Sequence, residues 1–322
     1  MPGRKQSKHS RKGLPWWFGL IIALVCIAAA GWFYLLDFKP DETQKSEKTT
    51  IDQDDYAETP PDTMALSQHV QRISNADGPS PENPWIALII DDFGSPASAR
   101  VMAGFLNLPF DLTFSIIPGN PKSISIGREV YNAGGEVFIH LPMEPTRRVA
   151  MKERDMVLVG MTPIELEAIL DRVTSELPFA IGINNHMGSK ASLDDPLLRM
   201  LAFELRKRSL VFVDSRTAPQ SRALTVMESS GVPVLKRDVF LDDQDDAQTF
   251  SQRLNELLRI ARRRGWGIGI AHARQASLES FMQAIPSVEV SGVRIVTAAT
   301  LVNAVWRLRQ VETAAADEKL PR

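Results

Sequence analysis

Six side chains that can act as acids, bases or metal ligands stand at the ends of short apolar segments. They lie in IALIIDD, EVFIH, IGINNH, LVFVD and IGIAH, and are Asp91, Asp92, His140, His186, Asp214 and His272. Two histidines and a carboxylate around a divalent ion leave positions free for water and substrate, and the ion lowers the pKa of that water and polarises a carbonyl. A second carboxylate can take the water's proton, and a further histidine can protonate the leaving group. These residues therefore predict metal-assisted hydrolysis of an amide or ester, and the alternative is a polar network without a metal.

The two adjacent acids follow a segment with the features of a buried strand. Ile86–Ile90 is apolar throughout, which is typical of a strand covered on both faces in a parallel sheet. Gly94 predicts a turn and Ser95 a helix N-cap. Carboxylates so close to a core lose hydration and repel each other, which favours a cation or a catalytic role for Asp91 and Asp92. The alternative is a helix-capping Asp beside a solvated one. Successive strand side chains point to opposite sides, so we expect the two acids to have different tasks.

Composition excludes several other classes of site. The chain has 322 residues, 44% hydrophobic and 24% charged, and a formal net charge of −2, which gives no support for binding nucleic acid. The single cysteine, Cys26, lies in an N-terminal apolar stretch, so the rest of the chain has no thiol for a disulfide, a zinc-thiolate site or a nucleophile. No GxGxxG follows a strand and no GxxxxGK[ST] occurs, so nucleotide binding is not supported. Any metal therefore needs His and carboxylate ligands.

The first 36 residues divide into a basic stretch and an uncharged apolar stretch. Residues 1–15 contain five Lys or Arg and no acid, and residues 16–36 contain no charge. At about 1.5 Å per residue, the second stretch is long enough to cross a bilayer core of roughly 30 Å, and Trp16, Trp17 and Trp32 near its ends are typical of the membrane interface. We predict a cytoplasmic tail, 1–15, and an inner-membrane anchor, 16–36, with the remainder in the periplasm or another extracytoplasmic space. A signal peptide cleaved near residues 28–30 is the alternative.

The rest of the chain divides into a linker, a domain and a tail. Residues 37–84 are polar and rich in Pro and predict a flexible linker, and residues 312–322 are predicted to be a disordered tail. Between residues 85 and 311, eight apolar segments alternate with amphipathic helices, which favours a parallel α/β barrel over a doubly wound open sheet. Strand ends of a barrel meet on one face, so the six side chains are expected to share a site. The segments are Ile86–Ile90, Leu112–Ile117, Glu136–Ile139, Ala180–Ile183, Leu210–Val213, Val232–Leu235, Trp266–Ala271 and Val293–Val296.

Seven short motifs in this domain resemble the divergent polysaccharide deacetylase family, a branch of the carbohydrate esterases. They are, in chain order, IIDDFG, FSIIPG, FIHLPMEP, INNHMGSK, FVDSRT, RDVFLDD and IGIAH. The resemblance covers almost the whole domain and leaves out the anchor and the linker. It implies a deformed parallel (β/α) barrel of about seven strands and a metal-dependent N- or O-deacetylase ancestry.

The resemblance also implies roles for individual residues. Asp91 corresponds to the family's general base, His272 to its general acid, and Asp92 and His140 to metal ligands. The second histidine of the family's His-x-x-x-His motif is replaced by Glu144, which we predict to be a supporting residue. His186 is our candidate for the ligand that this replacement removes. The bound divalent ion is predicted to be zinc. Asp214 is expected to orient a site residue, and Arg216 to neutralise a carboxylate. Asp242 and Asp243 are either solvated turn residues or contacts of the site or substrate.

Two functions of different classes remain. The first is a membrane-anchored, metal-dependent hydrolase that deacetylates an acetylated envelope carbohydrate, which the acid pair and His272 favour. The second is a glycan-binding or scaffold protein that keeps the fold without turnover, which the altered His-x-x-x-His motif favours. A metal hydrolase for another ester or glycosidic bond is a third interpretation.

Overall fold

All strands of the described part of the chain run parallel in one curled sheet. A computed structural model of the protein describes residues 78–147, 155–244 and 246–317. The sheet order is β6-β5-β4-β3-β2-β1-β8-β7, and β9 pairs with β1. The strands are β1 (Trp85–Phe93), β2 (Thr113–Ile116), β3 (Glu136–Met143), β4 (Gly182–Met187), β5 (Val211–Asp214), β6 (Val234–Lys236), β7 (Val239–Phe240), β8 (Trp266–His272) and β9 (Arg294–Val296). Six of the eight predicted segments contribute most of their residues to a strand, and the other two, Ala180–Ile183 and Val232–Leu235, overlap the starts of β4 and β6.

Helices connect the strands, as the predicted alternation requires. They are α1 (Pro96–Leu106), α2 (Ser123–Asn132), α3 (Pro163–Glu176), α4 (Asp195–Lys207), α5 (Ala223–Ser229), α6 (Ala247–Arg264), α7 (Gln275–Glu289) and α8 (Ala298–Asp317), with a 3₁₀ turn at Ala191–Leu193. The start of α3 shows how local sequence sets these elements. The Thr162 hydroxyl accepts from the Glu165 N–H at 3.3 Å, and the Glu165 carboxylate accepts from the Thr162 N–H at 2.8 Å, which is a capping box.

One short segment of chain joins the two ends of the sheet. β6 pairs with β5 and β7 pairs with β8, and only Arg237 and Asp238 separate β6 from β7. This curled arrangement fits a deformed (β/α) barrel better than a doubly wound open sheet. The described residues contain nine strands, whereas about seven were predicted. Two short strands, β6 and β7, together take the position of one barrel strand, and β9 is an additional short strand beside the start of β1.

Side chains of β1 alternate between two hydrophobic clusters. The even-numbered residues from Ile86 to Ile90 pack with the surrounding helices, and the odd-numbered residues from Trp85 to Ile89 pack in a second cluster. That second cluster includes residues of β3, β5, β8 and α8, so it fills the inside of the barrel. The next odd-numbered residue is Asp91, and the alternation therefore brings its carboxylate to the inner side at the carboxyl end of the strand.

The ends of the described chain differ from the predicted domain limits. α8 continues to Asp317, so residues 312–317 of the predicted disordered tail are helical. Residues 78–84 of the predicted linker are also ordered, and Ser80 and Asn83 exchange two backbone hydrogen bonds of 3.1 and 3.0 Å. The predicted tail 1–15, anchor 16–36 and linker to residue 77 lie outside the described residues. Within the described ranges, no helix is long and apolar enough to span a membrane.

Gly182 allows a large ring to pack beneath the polar end of the barrel. A Cβ added at Gly182 would lie 2.3 Å from the ring of Phe138, which is fully buried in the inner cluster. We expect Gly182→Ala to lower the free energy of unfolding by about 1–3 kcal/mol, the usual effect of overpacking a core. Gly78→Ala is the matched control, because its Cβ would meet Leu308 at an ordinary 3.7 Å. Chemical denaturation of both variants tests this, and equal stabilities would contradict the close packing.

Candidate metal centre

Three of the predicted site residues converge at the carboxyl ends of the strands. Asp92, His140 and His186 each offer a ligand atom, and these atoms lie within 4.8 Å of one another. Asp92 Oδ1 is 3.3 Å from His140 Nε2 and 3.2 Å from His186 Nδ1. The two imidazoles pack edge to face with ring centroids 4.8 Å apart. This is the ligand set that we predicted for the divalent ion.

The carboxylate oxygen at the centre of this group is not satisfied by a well-formed hydrogen bond. Asp92 Oδ1 is buried and has no partner with hydrogen-bond geometry, although two ring nitrogens lie close to it. His140 Nδ1 lies 3.0 Å from the amide oxygen of Asn184, which can only accept, so Nδ1 carries a hydrogen. In the neutral ring, Nε2 then directs a lone pair toward the Asp92 oxygen. Facing lone pairs repel, and a cation between them removes that repulsion, so these residues fit a bound metal ion.

The two adjacent acids approach the same imidazole. His140 Nε2 lies 3.5 Å from Asp91 Oδ2, close to its distance from Asp92 Oδ1. Asp92 has a left-handed backbone, φ 67°, and the register of β1 shifts between Ile90 and Phe93. The expectation that strand alternation separates Asp91 and Asp92 is therefore wrong at this point, because the irregularity within β1 interrupts the alternation at Asp92. A left-handed Asp is uncommon and costs energy, which is typical of functional sites.

The two carboxylates differ in their electrostatics. Burial raises the pKa of Asp91, and the neighbouring charge of Asp92 raises it further. Burial alone would raise the pKa of Asp92 too, but the adjacent imidazoles of His140 and His186 outweigh it and hold that pKa well below its usual range. Burial alone would lower the pKa of His140, and the carboxylates of Asp91 and Asp92 raise it instead. The ionised form is therefore favoured at Asp92, and the protonated form is favoured more at Asp91 than at an exposed Asp.

His272 stands beside this group and is held by a buried acid. In the parallel pairing of β1 with β8, the backbone of His272 lies opposite that of Asp91. His272 Nδ1 lies 2.8 Å from Asp242 Oδ1, and the His272 N–H and the Ser277 hydroxyl both donate to Asp242 Oδ2, at 2.7 and 2.5 Å. The interpretation of Asp242 as a solvated turn residue is therefore wrong, whereas Asp243 forms a surface ion pair with Arg253. Burial alone would lower the pKa of His272, and Asp242 raises it instead.

Asp242→Asn is expected to shift the alkaline limb of the pH profile of any activity that uses His272 as an acid. The acid must be protonated, so activity falls as the pH rises through its pKa. Loss of the Asp242 charge lowers the pKa of His272, and the alkaline limb should therefore move to lower pH. The pH profile of kcat/KM measures this limb, and Asp243→Asn is the control that should leave it in place. An unchanged limb in Asp242→Asn would show that His272 is not the acid.

The remaining predicted residues lie outside the metal group. Asp214 is buried at the end of β5, where burial raises its pKa and its carboxylate accepts from the Arg216 N–H at 2.8 Å. The charge of Arg216 lowers the pKa of this carboxylate and so opposes the effect of burial. The Glu144 carboxylate instead accepts from Lys190 Nζ at 2.7 Å and from the Val159 N–H at 2.8 Å. Glu144 therefore holds neighbouring loops together and lies outside the group of candidate ligands.

Sequence reasoning missed several side chains that complete the site. Asn184 contacts both Asp91 and His140. Phe240 stacks on His272 with ring centroids 5.7 Å apart, and the guanidinium of Arg237 lies 3.6 Å from the Phe240 ring centroid. The sequence contains one signal that could have identified Asn184. It lies two residues before His186, so its side chain is expected on the same face of β4 as that predicted ligand.

Comparison with known proteins agrees with the resemblance in the motifs. A family model described as divergent polysaccharide deacetylase matches residues 88–302. The uncharacterized protein YibQ of Escherichia coli K12 is 31% identical over 68% of this chain and 67% of its own length. An uncharacterized protein of Haemophilus influenzae Rd is 31% identical over 59% of this chain and 66% of its own.

A solved structure shares the fold. The crystal structure of the uncharacterized protein ATU2773 from Agrobacterium tumefaciens C58 superposes with a TM-score of 0.63 at 22% identity, covering 73% of this chain and 94% of the other. The match begins within β1 and ends within α8, and it includes the three clustered candidate ligands, the two predicted proton-transfer residues and Asn184. The chain belongs to the divergent polysaccharide deacetylase family.

Proposed function

We propose that this protein is a metal-dependent hydrolase that removes acetyl groups from an acetylated carbohydrate of the cell envelope. The observation that carries the proposal is the convergence of Asp92, His140 and His186 around a buried Asp92 Oδ1 that has no hydrogen-bond partner. A buried acid, Asp91, and a histidine held by a carboxylate, His272, stand next to them. A binding site has no need of a base and an acid around a metal.

The donor set is typical of a catalytic divalent ion. Asp92, His140 and His186 supply one carboxylate oxygen and two imidazole nitrogens, which suit zinc and leave coordination positions free. Such an ion lowers the pKa of a bound water and polarises the acyl carbonyl.

The protein's own side chains divide the proton transfers. Asp91 Oδ2 faces His140 Nε2 at 3.5 Å, and Asp91 Oδ1 is held by Asn184, so Oδ2 is the oxygen free to accept a proton from the attacking water. Burial raises the pKa of Asp91, which brings this base closer to the working pH. His272 keeps its Nδ1 on Asp242 and presents Nε2 to donate a proton to the leaving group.

The alternative is a glycan-binding or scaffold protein with the same fold. Its support is Glu144, which occupies the position of the second histidine of the family motif and is engaged with Lys190. In that case the site would hold a carbohydrate without cleaving it. The two functions make different predictions for the release of acetate.

Acetate release from a panel of acetylated oligosaccharides and acetyl esters separates the two functions. We expect the zinc-loaded full-length protein to release acetate from at least one acetylated carbohydrate. Binding to the same panel is measured in parallel by calorimetry. Binding without any acetate release would favour the glycan-binding alternative and contradict the hydrolase.

The proposed location is the outer face of the inner membrane, with residues 16–36 as the anchor. The basic residues of 1–15 before an uncharged stretch motivate this orientation. A reporter that is active only after export, fused after Gln310, should be active. Activity of a reporter that works only in the cytoplasm would contradict both the orientation and the envelope substrate.

A further inference from the structure

We propose that Asn184 is a positioning residue that fixes the metal ligand His140 and the base Asp91 with a single side-chain amide. The inference rests on the proposed function for the roles of these two residues. Asn184 lies in β4 and is fully buried. Its Nδ2 donates to Asp91 Oδ1 at 2.8 Å, and its Oδ1 lies 3.0 Å from His140 Nδ1.

The chemistry of the partners determines which way the amide points. An ionised Asp91 carboxylate can only accept, so the NH₂ end of Asn184 must face it. The oxygen end then faces His140 and requires the hydrogen on Nδ1. This tautomer leaves the His140 Nε2 lone pair directed at Asp92 Oδ1, 3.3 Å away. The orientation of one amide therefore sets the ligand atom of His140.

The same amide is fully satisfied by four different segments of the barrel. Its second N–H donates to the Ser215 hydroxyl at 3.2 Å, and its oxygen also accepts from the Ser115 hydroxyl. Asn184 thus uses both donors and both acceptor positions inside the barrel. The partners come from β1, β2, β3 and the residue after β5, so the amide holds the strand ends in a fixed relation. The ligand and the base are coupled because they share this one group.

Two substitutions of Asn184 distinguish the role of its acceptor oxygen from that of its donor NH₂ group. Asn184→Leu has the same number of side-chain heavy atoms in the same branched arrangement and removes every hydrogen bond, so we expect zinc affinity to fall by about 10–100-fold, the usual effect of losing such a supporting contact. Asn184→Asp keeps an acceptor for His140 and loses the donor to Asp91. We expect this variant to keep zinc affinity at or above that of the parent. Ser115→Ala is the control, because it removes one contact to the amide and leaves the Asp91 and His140 contacts in place.

The readouts are zinc affinity and the tautomer of His140 in the full-length protein. Zinc affinity is measured by chelator competition, and ¹⁵N NMR of histidine-labelled, metal-free protein reports the tautomer at a pH where the ring is neutral, with His140→Ala to assign the signal. The Nδ1–H form should dominate in the parent and in Asn184→Asp, and be lost in Asn184→Leu. Unchanged affinity and tautomer in Asn184→Leu, or the Nε2–H form in the parent or in Asn184→Asp, would overturn the inference. If Asn184→Leu fails to fold, the parent and Asn184→Asp spectra still decide. None of these readouts needs turnover, so the inference and the deacetylase function can fail separately.

Discussion

Asp91→Asn is expected to retain its metal and to lose turnover by about 10²–10⁴-fold, the usual contribution of a positioned general base. Asp91 lies on the inner side of the barrel and outside the three-residue ligand group, and its pKa is raised by burial. The Asn side chain keeps the shape of Asp and removes the negative charge, and with it the ability to accept a proton from water. Elemental analysis and acetate release, measured on the same preparation, test both halves of this expectation.

Asp92→Asn is the matched variant at the neighbouring position. It removes the charge of the carboxylate that lies 3.3 and 3.2 Å from the two ligand histidines, so metal should be lost or bound much more weakly. The reverse pattern, with Asp91→Asn free of metal and Asp92→Asn loaded, would exchange the two roles. If Asp91→Asn retains both metal and turnover, Asp91 is not the general base.

His140→Ala is expected to abolish metal binding and the stabilisation that metal provides. An ion that binds only the folded protein stabilises it by about 4 kcal/mol when its free concentration is about 1,000 times Kd. The parent protein should therefore unfold at a higher temperature when zinc is added, and His140→Ala should show no such increase. Thermal unfolding with and without zinc, together with the metal content, measures the effect.

His272→Ala is the control for this experiment. His272 is also at a strand end and near the acids, but it is held by Asp242 and does not belong to the ligand group. It should keep the zinc-dependent stabilisation while losing turnover. Metal content in His140→Ala equal to that of the parent would show that the ligand set is wrong.

The general plan of the fold could be predicted because it depends on local patterns. Short apolar segments alternate with helices that carry recognisable caps, such as Thr162 with Glu165, and a parallel sheet brings all carboxyl ends of its strands to one face. That rule alone was sufficient to expect that Asp92, His140 and His186 would lie close together. The joining of the sheet through residues 234–240 was not predictable, because β7 has only two residues and no periodicity.

Details of the site depend on contacts between distant parts of the chain. Asp242 resembles a turn residue in the sequence, and its burial results from β8 and from Ser277 in α7, 35 residues later. The left-handed backbone of Asp92 has no sequence signal, because no glycine marks it. The position of Asn184 two residues before His186 indicates its face of β4, but its partners lie 93 and 44 positions away and cannot be inferred from that position.

The most direct test of the metal-dependent deacetylase is acetate release by one preparation of the full-length protein before chelation, after chelation and after zinc is restored. The convergence of Asp92, His140 and His186 predicts that acetate release is present, then lost, then recovered, in parallel with the zinc content. Acetate release that persists in metal-free protein would contradict the metal centre. A fully zinc-loaded protein that releases no acetate from any acetylated carbohydrate would contradict the hydrolase.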